Sequence, residues 1–384
     1  ARAKKSLDIA NMEADGNVLT VTTNSLNAAV KNELCEPVAS IINVNCGAAD
    51  EKPVGTGPYK IDSVADNGDV ELSSYDSYWQ GNPTIKTVHA KYLTDDQSKV
   101  SALQSGEVSA LMNVADDQLS ALSDTSKYTL HQTNQARAHM LYFNMQSSIM
   151  QDDAVREAVS MCIDRDSYVS SIYNNSAEAA HAAFPDSSGY ADGVTCDGFD
   201  VEKAKQILAD AGYADTDGDG ILEKDGKKLS LKIVTYQANA ALPKDCEALS
   251  SQLSQIGIGS DIEVAEKIAT RLGQSDWEIG TMAYSTLPTG NPYTYLSTVM
   301  GSTGASNYGH YSNAKVDALL DQLKKTSDEA TQKQLVQQIQ QIALDDHAYV
   351  YMVHTLVNDV TAADVQNLAM QGQYDWLNYQ MSYK

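Results

Sequence analysis

The stretch Leu229–Val264, LSLKIVTYQANAALPKDCEALSSQLSQIGIGSDIEV, decides the fold class. Its first residues, Leu229–Tyr236, alternate apolar and polar side chains, which is typical of a β-strand with one buried face. Asp245–Ile256 has the spacing of an amphipathic helix, and Asp261–Val264 returns to strand character, as does Glu278–Tyr284. Because strands and helices alternate here, we predict an α/β fold.

Helices with clear ends flank this stretch. FDVEKAKQILADAGY, Phe199–Tyr213, offers Asp200 as the N-cap and Gly212 as the C-terminal stop of a helix. An apolar stripe predicts another helix that begins near Asp153. Asp95 or Asp96 is predicted to cap a short helix that stops at Gly106, and apolar stripes predict further helices in Val316–Leu323 and Leu335–Ala343. Alternation predicts further strands in Val18–Thr23, Val70–Ser73, Ile85–Tyr92 and Tyr349–Val353.

The composition excludes one class of function. The chain has 384 residues, with 51 Asp plus Glu against 27 Lys plus Arg, for a formal net charge of -24. Binding to nucleic acid through phosphate contacts needs clustered cationic side chains, so we exclude it. The five cysteines and seven histidines show no metal-binding spacing, and only a Cys35–Cys46 disulfide stays open.

Two segments are candidates for ligand contact. AYSTLPTGNPYTYLSTV, Ala283–Val299, gathers tyrosine and amide side chains around glycine and proline, and loops at strand ends are where α/β proteins place ligands. HMLYFN, His139–Asn144, follows closely after Arg137. The alternatives are a plain surface loop for the first segment and a buried crossover strand for the second. The residues that we expect to face a ligand are Arg137, His139, Tyr142, Tyr284, Thr289, Asn291 and Tyr293.

Catalytic signatures are sparse. The chain has no G-x-S-x-G elbow, no H-E-x-x-H helix and no phosphate-binding loop of the G-x-x-x-x-G-K-[ST] type. Ser312 and Lys315 match the S-x-x-K spacing of penicillin-recognising enzymes, but the companion motifs are missing and the pair lies at a predicted helix cap. We expect no enzyme activity, with a hydrolase that uses Ser312 and Lys315 as an alternative.

An acidic turn, DTDGDGILE at Asp215–Glu223, places acids at positions one, three and five and glycine at six, as in an EF-hand calcium loop. Position twelve is Gly226 instead of the bidentate Glu, and the next residues read as a strand that leaves a hairpin. We therefore expect a turn on the outer surface that holds no metal. A calcium-stabilised sensory or adhesive ectodomain that uses Asp215, Asp217 and Asp219 is the other alternative.

Taken in order, several segments resemble the peptide/nickel type (family five) of extracellular solute-binding proteins that serve bacterial ABC transporters. They are PVGTGPYKI (Pro53–Ile61), YDSYWQGNPTIKTVHAKYL (Tyr75–Leu93), SKVSALQSGEV (Ser98–Val108), DDAVREAVSMCIDRDSYV (Asp152–Val169), FDVEKAKQILADAGY (Phe199–Tyr213) and HYSNAKVDALLDQL (His310–Leu323). The resemblance implies a two-lobed periplasmic-binding-protein-like fold (type II, in the style of large cluster C), with mixed sheets flanked by helices. It also implies two lobes that close on a ligand, with no reaction and no cofactor.

The resemblance also implies a domain organisation. Residues 1–55 would be the remnant of a small N-terminal subdomain, residues 56–145 and 355–384 lobe I, and residues 146–354 lobe II. Set against the family, the chain starts late, without the usual opening strand, signal and lipid-anchor cysteine. We expect the strands near Val18 and in Val70–Tyr92 to belong to a different lobe from Phe199–Val264, with the cleft between the two lobes.

The implied function is that of a monomeric extracytoplasmic binding protein, periplasmic or held at the cell surface as a lipoprotein. It would capture a polar small molecule or oligopeptide and deliver it to ABC permease subunits. Peptide-binding members usually carry an Asp in the loop that corresponds to Tyr284–Tyr293, and YSTLPTGNPY has no acid, so a generic peptide is less favoured. Nickel-complex binders often carry an Arg near the segment that corresponds to Glu36–Ile42, and Arg137 is the expected substitute here.

Overall fold

The computed structural model describes residues 9–46, 52–237, 241–371 and 374–384. Its backbone contacts divide the chain into two units. The first unit comprises the described parts of Ala1–Thr22, Val30–Gln135 and Leu356–Lys384, and the second comprises Thr23–Ala29 and the described parts of Ala136–Thr355.

The described residues contain eighteen strands. In chain order they are β1 (Ile9–Asp15), β2 (Val18–Thr23), β3 (Tyr59–Val64), β4 (Val70–Ser74), β5 (Thr87–Ala90), β6 (Ala110–Leu111), β7 (Tyr128–Phe143), β8 (Ala177–Ala179), β9 (Glu223–Lys224), β10 (Lys227–Lys228), β11 (Ser230–Tyr236), β12 (Gly259–Ala265), β13 (Ile279–Ser285), β14 (Tyr349–Ala362), β15 (Val365–Gln366), β16 (Ala369–Gln371), β17 (Tyr374–Trp376) and β18 (Ser382–Tyr383).

The α-helices lie mostly in the second unit. They are α1 (Val30–Glu33), α2 (Asp96–Ser105), α3 (Asp153–Met161), α4 (Arg165–Ser167), α5 (Val201–Asp210), α6 (Ala241–Gln255), α7 (Ile268–Leu272), α8 (Tyr293–Val299), α9 (Ala314–Leu323) and α10 (Glu329–Asp345). Short 3-10 turns occupy Pro37–Ala39, Asp116–Leu122 and Asp186–Ser188, and a π-turn occupies Tyr168–Ile172. Among the described residues, no helix combines the length and the apolar character needed to span a bilayer.

The predicted strand–helix–strand stretch forms the centre of the second unit. β11 and β12 pair in parallel, from Ser230 beside Gly259 to Tyr236 beside Ala265, and α6 lies between them in the chain. β13 pairs in parallel with β11 and antiparallel with β7. The strand order is β12-β11-β13-β7-β14-β6, with β8 beside β14. This mixed sheet with its helices confirms the predicted α/β class.

Both faces of this sheet are buried within the second unit. Side chains at alternate positions of a strand point to opposite faces. Accordingly, Met140 and Tyr142 of β7 pack in one apolar cluster, while Leu141 and Phe143 pack in another. All of His139–Phe143 is buried, so the alternative of a buried crossover strand describes this segment correctly.

Capping residues set the helix ends, among them the predicted caps Asp200 and Asp95. The Asp200 carboxylate accepts a hydrogen bond from the Lys203 backbone N–H at the start of α5, and Asp152 and Asp95 cap α3 and α2 in the same way. Each carboxylate satisfies a backbone N–H that the first turn of a helix leaves without an intrahelical partner. Gly106, at a φ of 77°, ends α2 in the left-handed conformation that glycine adopts without steric cost.

The first unit is built from small sheets. β1 pairs with β2, β3-β4-β5 form an antiparallel sheet, and β15 pairs with β18 and β16 with β17. A small apolar core joins α2 to β6 and to Val360 of β14. The segments near Val18 and in Val70–Tyr92 thus lie in this unit, whereas Phe199–Val264 lies in the other. All five cysteines are free, so the disulfide left open by the sequence is not formed.

An ion-paired histidine joins three segments of the second unit. The His347 ring lies 2.9 Å from Asp153 through Nδ1 and 3.4 Å from Asp197 through Nε2. Burial disfavours the imidazolium, but hydrogen bonds and charge from Asp197 and Asp153 outweigh it and raise the pKa of His347 from 6.5 to about 9. The protonated ring therefore connects the end of α10 to the start of α3 and to the segment before α5.

We predict that this contact makes stability depend on pH above neutrality. The folded-state pKa is raised, so the stabilisation is complete below about pH 6.5 and is lost as the pH rises through about 9. His347→Gln should lose on the order of 1 to 3 kcal/mol of unfolding free energy at pH 6 and much less at pH 10. Urea unfolding at both pH values checks it, and an equal loss at both would contradict it.

Candidate functional site

The register of the central sheet brings the two candidate segments together. The parallel strands β11, β12 and β13 end at Tyr236, Ala265 and Ser285, and Arg137 of β7 pairs directly with Ser285. We call this end of the second unit's sheet the carboxyl edge. Ligands of α/β proteins bind at the carboxyl ends of parallel strands, so Arg137 and the loop after β13 occupy the expected place.

The loop after β13 is fixed where it leaves the sheet. The Thr286 backbone N–H and hydroxyl both donate to the Ala136 carbonyl oxygen, at 2.7 and 2.9 Å. Further along, the Asn291 side-chain oxygen accepts the Tyr293 backbone N–H at 2.8 Å, just as α8 begins. Ala136 itself has a φ of 50°, a left-handed backbone that a β-carbon disfavours. The two segments are therefore tied to each other at the edge.

The seven predicted contact residues differ in exposure. Arg137 is exposed, and Tyr284, Thr289 and Tyr293 are half-buried. His139, Tyr142 and Asn291 are buried. The first four side chains are therefore accessible from solvent in the second unit, and the last three lie beneath its surface.

Arg137 differs from the other arginines of the described residues. Arg271 forms a bidentate pair with Glu263 at 2.6 and 2.8 Å. Arg156 pairs with Asp153 at 2.7 Å, and the Arg165 Nε–H donates to two backbone carbonyls. In the part of the chain that the structure describes, the Arg137 guanidinium has no acidic partner within 4.0 Å. It is an exposed cation that the scaffold does not use.

Most tyrosines near this edge belong to an internal aromatic cluster. The Tyr142 ring packs edge-on against Tyr308 and Tyr349, with centroids 5.8 and 5.7 Å apart, and Tyr284 packs edge-on against Tyr295 at 5.3 Å. Burial, together with neighbouring tyrosine hydroxyls, raises the pKa of Tyr142 well above its usual value. Its hydroxyl finds no hydrogen-bond partner among the described residues. These rings therefore form part of one apolar cluster of the second unit.

His139 belongs to a buried polar network. Its Nδ1 lies 2.7 Å from an Asp245 carboxylate oxygen and 2.7 Å from the Tyr173 hydroxyl, which also donates to Asp245. All three side chains are buried. Sequence reasoning singled out His139 but missed Asp245, although a lone acid on the apolar face of α6, three residues after Leu242, was a usable signal.

The residues of the alternative functions lie elsewhere. Asn313 caps α9 by accepting the Lys315 and Val316 backbone N–H groups, which confirms the capping interpretation, and Ser312 and Lys315 are both exposed. Glu157, Asp197 and His347 are close enough to hold a metal ion. In the structure both ring nitrogens of His347 lie near carboxylates, Nδ1 beside Asp153 and Nε2 beside Asp197.

The family is shown by a sequence profile. The profile described as bacterial extracellular solute-binding proteins, family 5 middle, matches residues 3–307. The chain belongs to this family. Its members are solute-binding proteins, which favours binding over the hydrolase and the sensory or adhesive alternatives.

Relatives extend over most of the chain. The nickel-binding protein NikA of Staphylococcus aureus (strain NCTC 8325 / PS 47) is 28% identical over 85% of this chain and 64% of its own length. The oligopeptide-binding protein AppA of Bacillus subtilis (strain 168) is 29% identical over 79% of this chain and 57% of its own length. The chain therefore spans less than two thirds of either relative.

A solved structure agrees on the fold. The crystal structure of a nickel ABC transporter protein from Bacillus halodurans superposes with a TM-score of 0.86, at 26% identity, and covers 98% of this chain and 80% of that one. The predicted periplasmic-binding-protein-like fold is thereby confirmed.

We predict that the buried network is a strong stabilising element. In His139→Leu, the Asp245 carboxylate keeps the Tyr173 hydroxyl but loses its ring partner, and a loss of roughly 3 kcal/mol of unfolding free energy is expected. The double variant His139→Leu/Asp245→Leu should be less destabilised than the sum of the two single variants, because no carboxylate is left buried. Urea unfolding of the three variants measures this coupling, and strict additivity would refute it.

Proposed function

We propose that this protein is an extracytoplasmic solute-binding protein that captures a polar small molecule or short peptide and delivers it to an ABC permease. The observation that carries the proposal is the exposed Arg137, whose guanidinium has no acidic partner among the described residues and whose backbone pairs with Ser285, where β13 leads into the loop. An unpaired arginine at a ligand-binding edge is suited to a carboxylate, because its planar fork can form two parallel hydrogen bonds. Membership of the solute-binding family supports the same function.

The seven site residues are proposed to act in two layers. Arg137, Tyr284, Thr289 and Tyr293 would contact the solute, because their side chains reach solvent. The buried His139, Tyr142 and Asn291 would hold them in place. Asn291 already fixes the Tyr293 backbone, and Tyr142 belongs to the aromatic cluster beneath Tyr284.

The solute is proposed to carry a carboxylate. The Tyr284–Tyr293 loop has no acid, so a free ammonium group would lack a charge partner there. NikA is named for nickel and AppA for oligopeptides, and both a metal–amino acid complex and a peptide can present a carboxylate. A carboxylate is common to both kinds of solute, and Arg137 is the residue that would bind it.

The finer organisation is proposed along with this function. Residues 56–145 and 355–384 would form one lobe, residues 146–354 the other, and residues 1–55 a small subdomain. The protein would act as a monomer, outside the cytoplasm, as a periplasmic or lipid-anchored protein next to its permease.

Native mass spectrometry of protein purified without refolding tests the proposal. A bound small molecule that is retained under native conditions and released on unfolding is the expected result. Its mass and its fragments then distinguish a peptide from a metal complex. If protein from several growth media carries nothing, and binds neither nickel–histidine nor short peptides in titration calorimetry, the proposal fails.

We predict that Arg137→Gln weakens binding of a carboxylate-bearing solute by about 10- to 100-fold, the usual range for a charged hydrogen bond. Arg137→Lys should recover part of the loss, because it keeps the charge and loses the bidentate fork. Lys315→Gln removes the same charge from an exposed site on α9 and serves as the control, with unchanged affinity. Titration calorimetry measures all three, and equal losses in Arg137→Gln and Lys315→Gln would show a general charge effect.

We also predict that neighbouring tyrosines of α8 separate binding from packing. Tyr295 is 1% exposed, so Tyr295→Ala should cost about 3 to 5 kcal/mol of unfolding free energy. Tyr293 is half-buried, so Tyr293→Ala should cost less than half of that, yet weaken solute binding by about 1 to 3 kcal/mol. Thermal unfolding of unliganded protein and titration of liganded protein give the two numbers. A stable Tyr293→Ala variant with normal affinity removes this residue from the site.

A further inference from the structure

The acidic turn closes on itself at the base of a hairpin. Ala214 and Glu223 exchange both backbone hydrogen bonds, at 3.0 and 2.8 Å, and β9 and β10 follow as an antiparallel pair, which confirms the predicted hairpin. Asp215, Asp217 and Asp219 are exposed. Together with Glu223 they form the acidic loop cluster, in which one carboxylate oxygen from each residue lies within 4.8 Å of the others.

Glu223 distinguishes this cluster from an ordinary exposed acidic turn. It is 7% exposed, and one carboxylate oxygen accepts two hydrogen bonds from Thr216, both at 2.7 Å. The other oxygen, Oε1, is buried and has no hydrogen-bond partner among the described residues. A buried carboxylate oxygen without a donor is costly, so this position calls for a positive charge or an ion.

Glu223 supplies an acid that the comparison of the sequence with an EF-hand loop did not count. That comparison rested on Gly226 at position twelve, which cannot supply the last carboxylate of an EF-hand loop. In the structure the last carboxylate comes from position nine, because the chain turns back into β9 instead of entering a helix. Glu223 therefore adds a fourth carboxylate to the three aspartates.

Lys228 is a basic residue that contacts this cluster. Its ammonium group pairs with Asp219 and lies 3.1 Å from Asp217. One ammonium faces four carboxylates, and no contact between it and Glu223 is found in the described part of the chain. Lys228 therefore leaves most of the negative charge of the cluster uncompensated.

We propose that Asp215, Asp217, Asp219 and Glu223 bind a calcium ion. Oxygens that share one calcium at 2.3 to 2.6 Å lie at most about 4.6 to 5.2 Å apart, which is the separation found in the cluster. All donors are hard carboxylate oxygens, which suit calcium or magnesium better than a transition metal. Calcium is favoured because it accepts irregular coordination, whereas magnesium demands a near-ideal octahedron.

A calcium ion at this site would affect the stability of the second unit. Leu222, next to Glu223, donates its backbone N–H to the Gly257 carbonyl at 2.8 Å, and a β-carbon at Gly257 would meet the Leu222 side chain at 2.7 Å. The hairpin is thus packed against the turn that leads into β12, at the end of the sheet opposite the carboxyl edge. Calcium would stabilise this end of the second unit whether or not a solute is bound. The inference therefore does not rest on the proposed function.

Calcium chloride titrated into EDTA-treated protein, followed by calorimetry, tests the site. We expect saturable binding of one ion and a rise in melting temperature that sodium chloride of equal ionic strength does not reproduce. Glu223→Gln should bind at least tenfold more weakly, and Asp217→Asn, on the exposed side, should do the same if the buried variant fails to fold. Lys228→Met should bind calcium at least as tightly as the wild type.

Asp225→Asn is the matched control. Asp225 lies in the turn between β9 and β10 with a φ of 54°, a conformation that Asn also accepts, so the variant removes one charge from the same hairpin but no proposed ligand. Its affinity should change less than tenfold. Any one of three results overturns the proposal. The wild type does not bind calcium, or Glu223→Gln and Asp217→Asn both lose less than tenfold in calcium affinity, or Asp225→Asn loses tenfold.

Discussion

The antiparallel pairing of β7 with β13 is the constraint on which the second unit depends. It runs without a break from Phe143 beside Ile279 to Arg137 beside Ser285. Because both faces of this part of β7 are buried, a shift by one residue would exchange Met140 and Tyr142 with Leu141 and Phe143 between two different cores. Packing therefore fixes the register, and the register in turn places Arg137 next to the loop that begins at Ser285.

The same packing explains why some polar side chains of the site are exposed and others are buried. A strand that is buried on both faces can present a polar side chain only where it leaves the sheet, or by pairing it internally. Arg137 follows the first course, next to the left-handed Ala136 where the chain passes between units. His139 follows the second, through Asp245 and Tyr173. The position of a residue along β7 thus decides its role. Arg137 can contact a ligand, whereas His139 is hydrogen-bonded inside the protein.

Structural features that depend on neighbouring residues in the sequence were predictable, and features that depend on distant residues were not. Caps such as Asp152 and Asp200 act within three residues, so the helices they start were predictable. The full length of β7 was not, because the residues from Tyr128 to Gln135 are mostly polar and none of them is fully buried, and pairing in the sheet, not apolar alternation, makes them a strand. The pairing of His139 with Asp245 joins positions 106 apart, and no local pattern encodes such a contact.

The acidic turn shows where local reasoning about a motif stops. Counting positions against an EF-hand presumes that a helix follows the loop, since only then does position twelve return to the ion. Here a hairpin follows, so the acid at position nine, Glu223, returns to the three aspartates instead. The element that follows a loop therefore decides which residue completes it. At the carboxyl edge the following element matters as well, because α8 begins at Tyr293 and the Asn291 side-chain oxygen accepts the Tyr293 backbone N–H there.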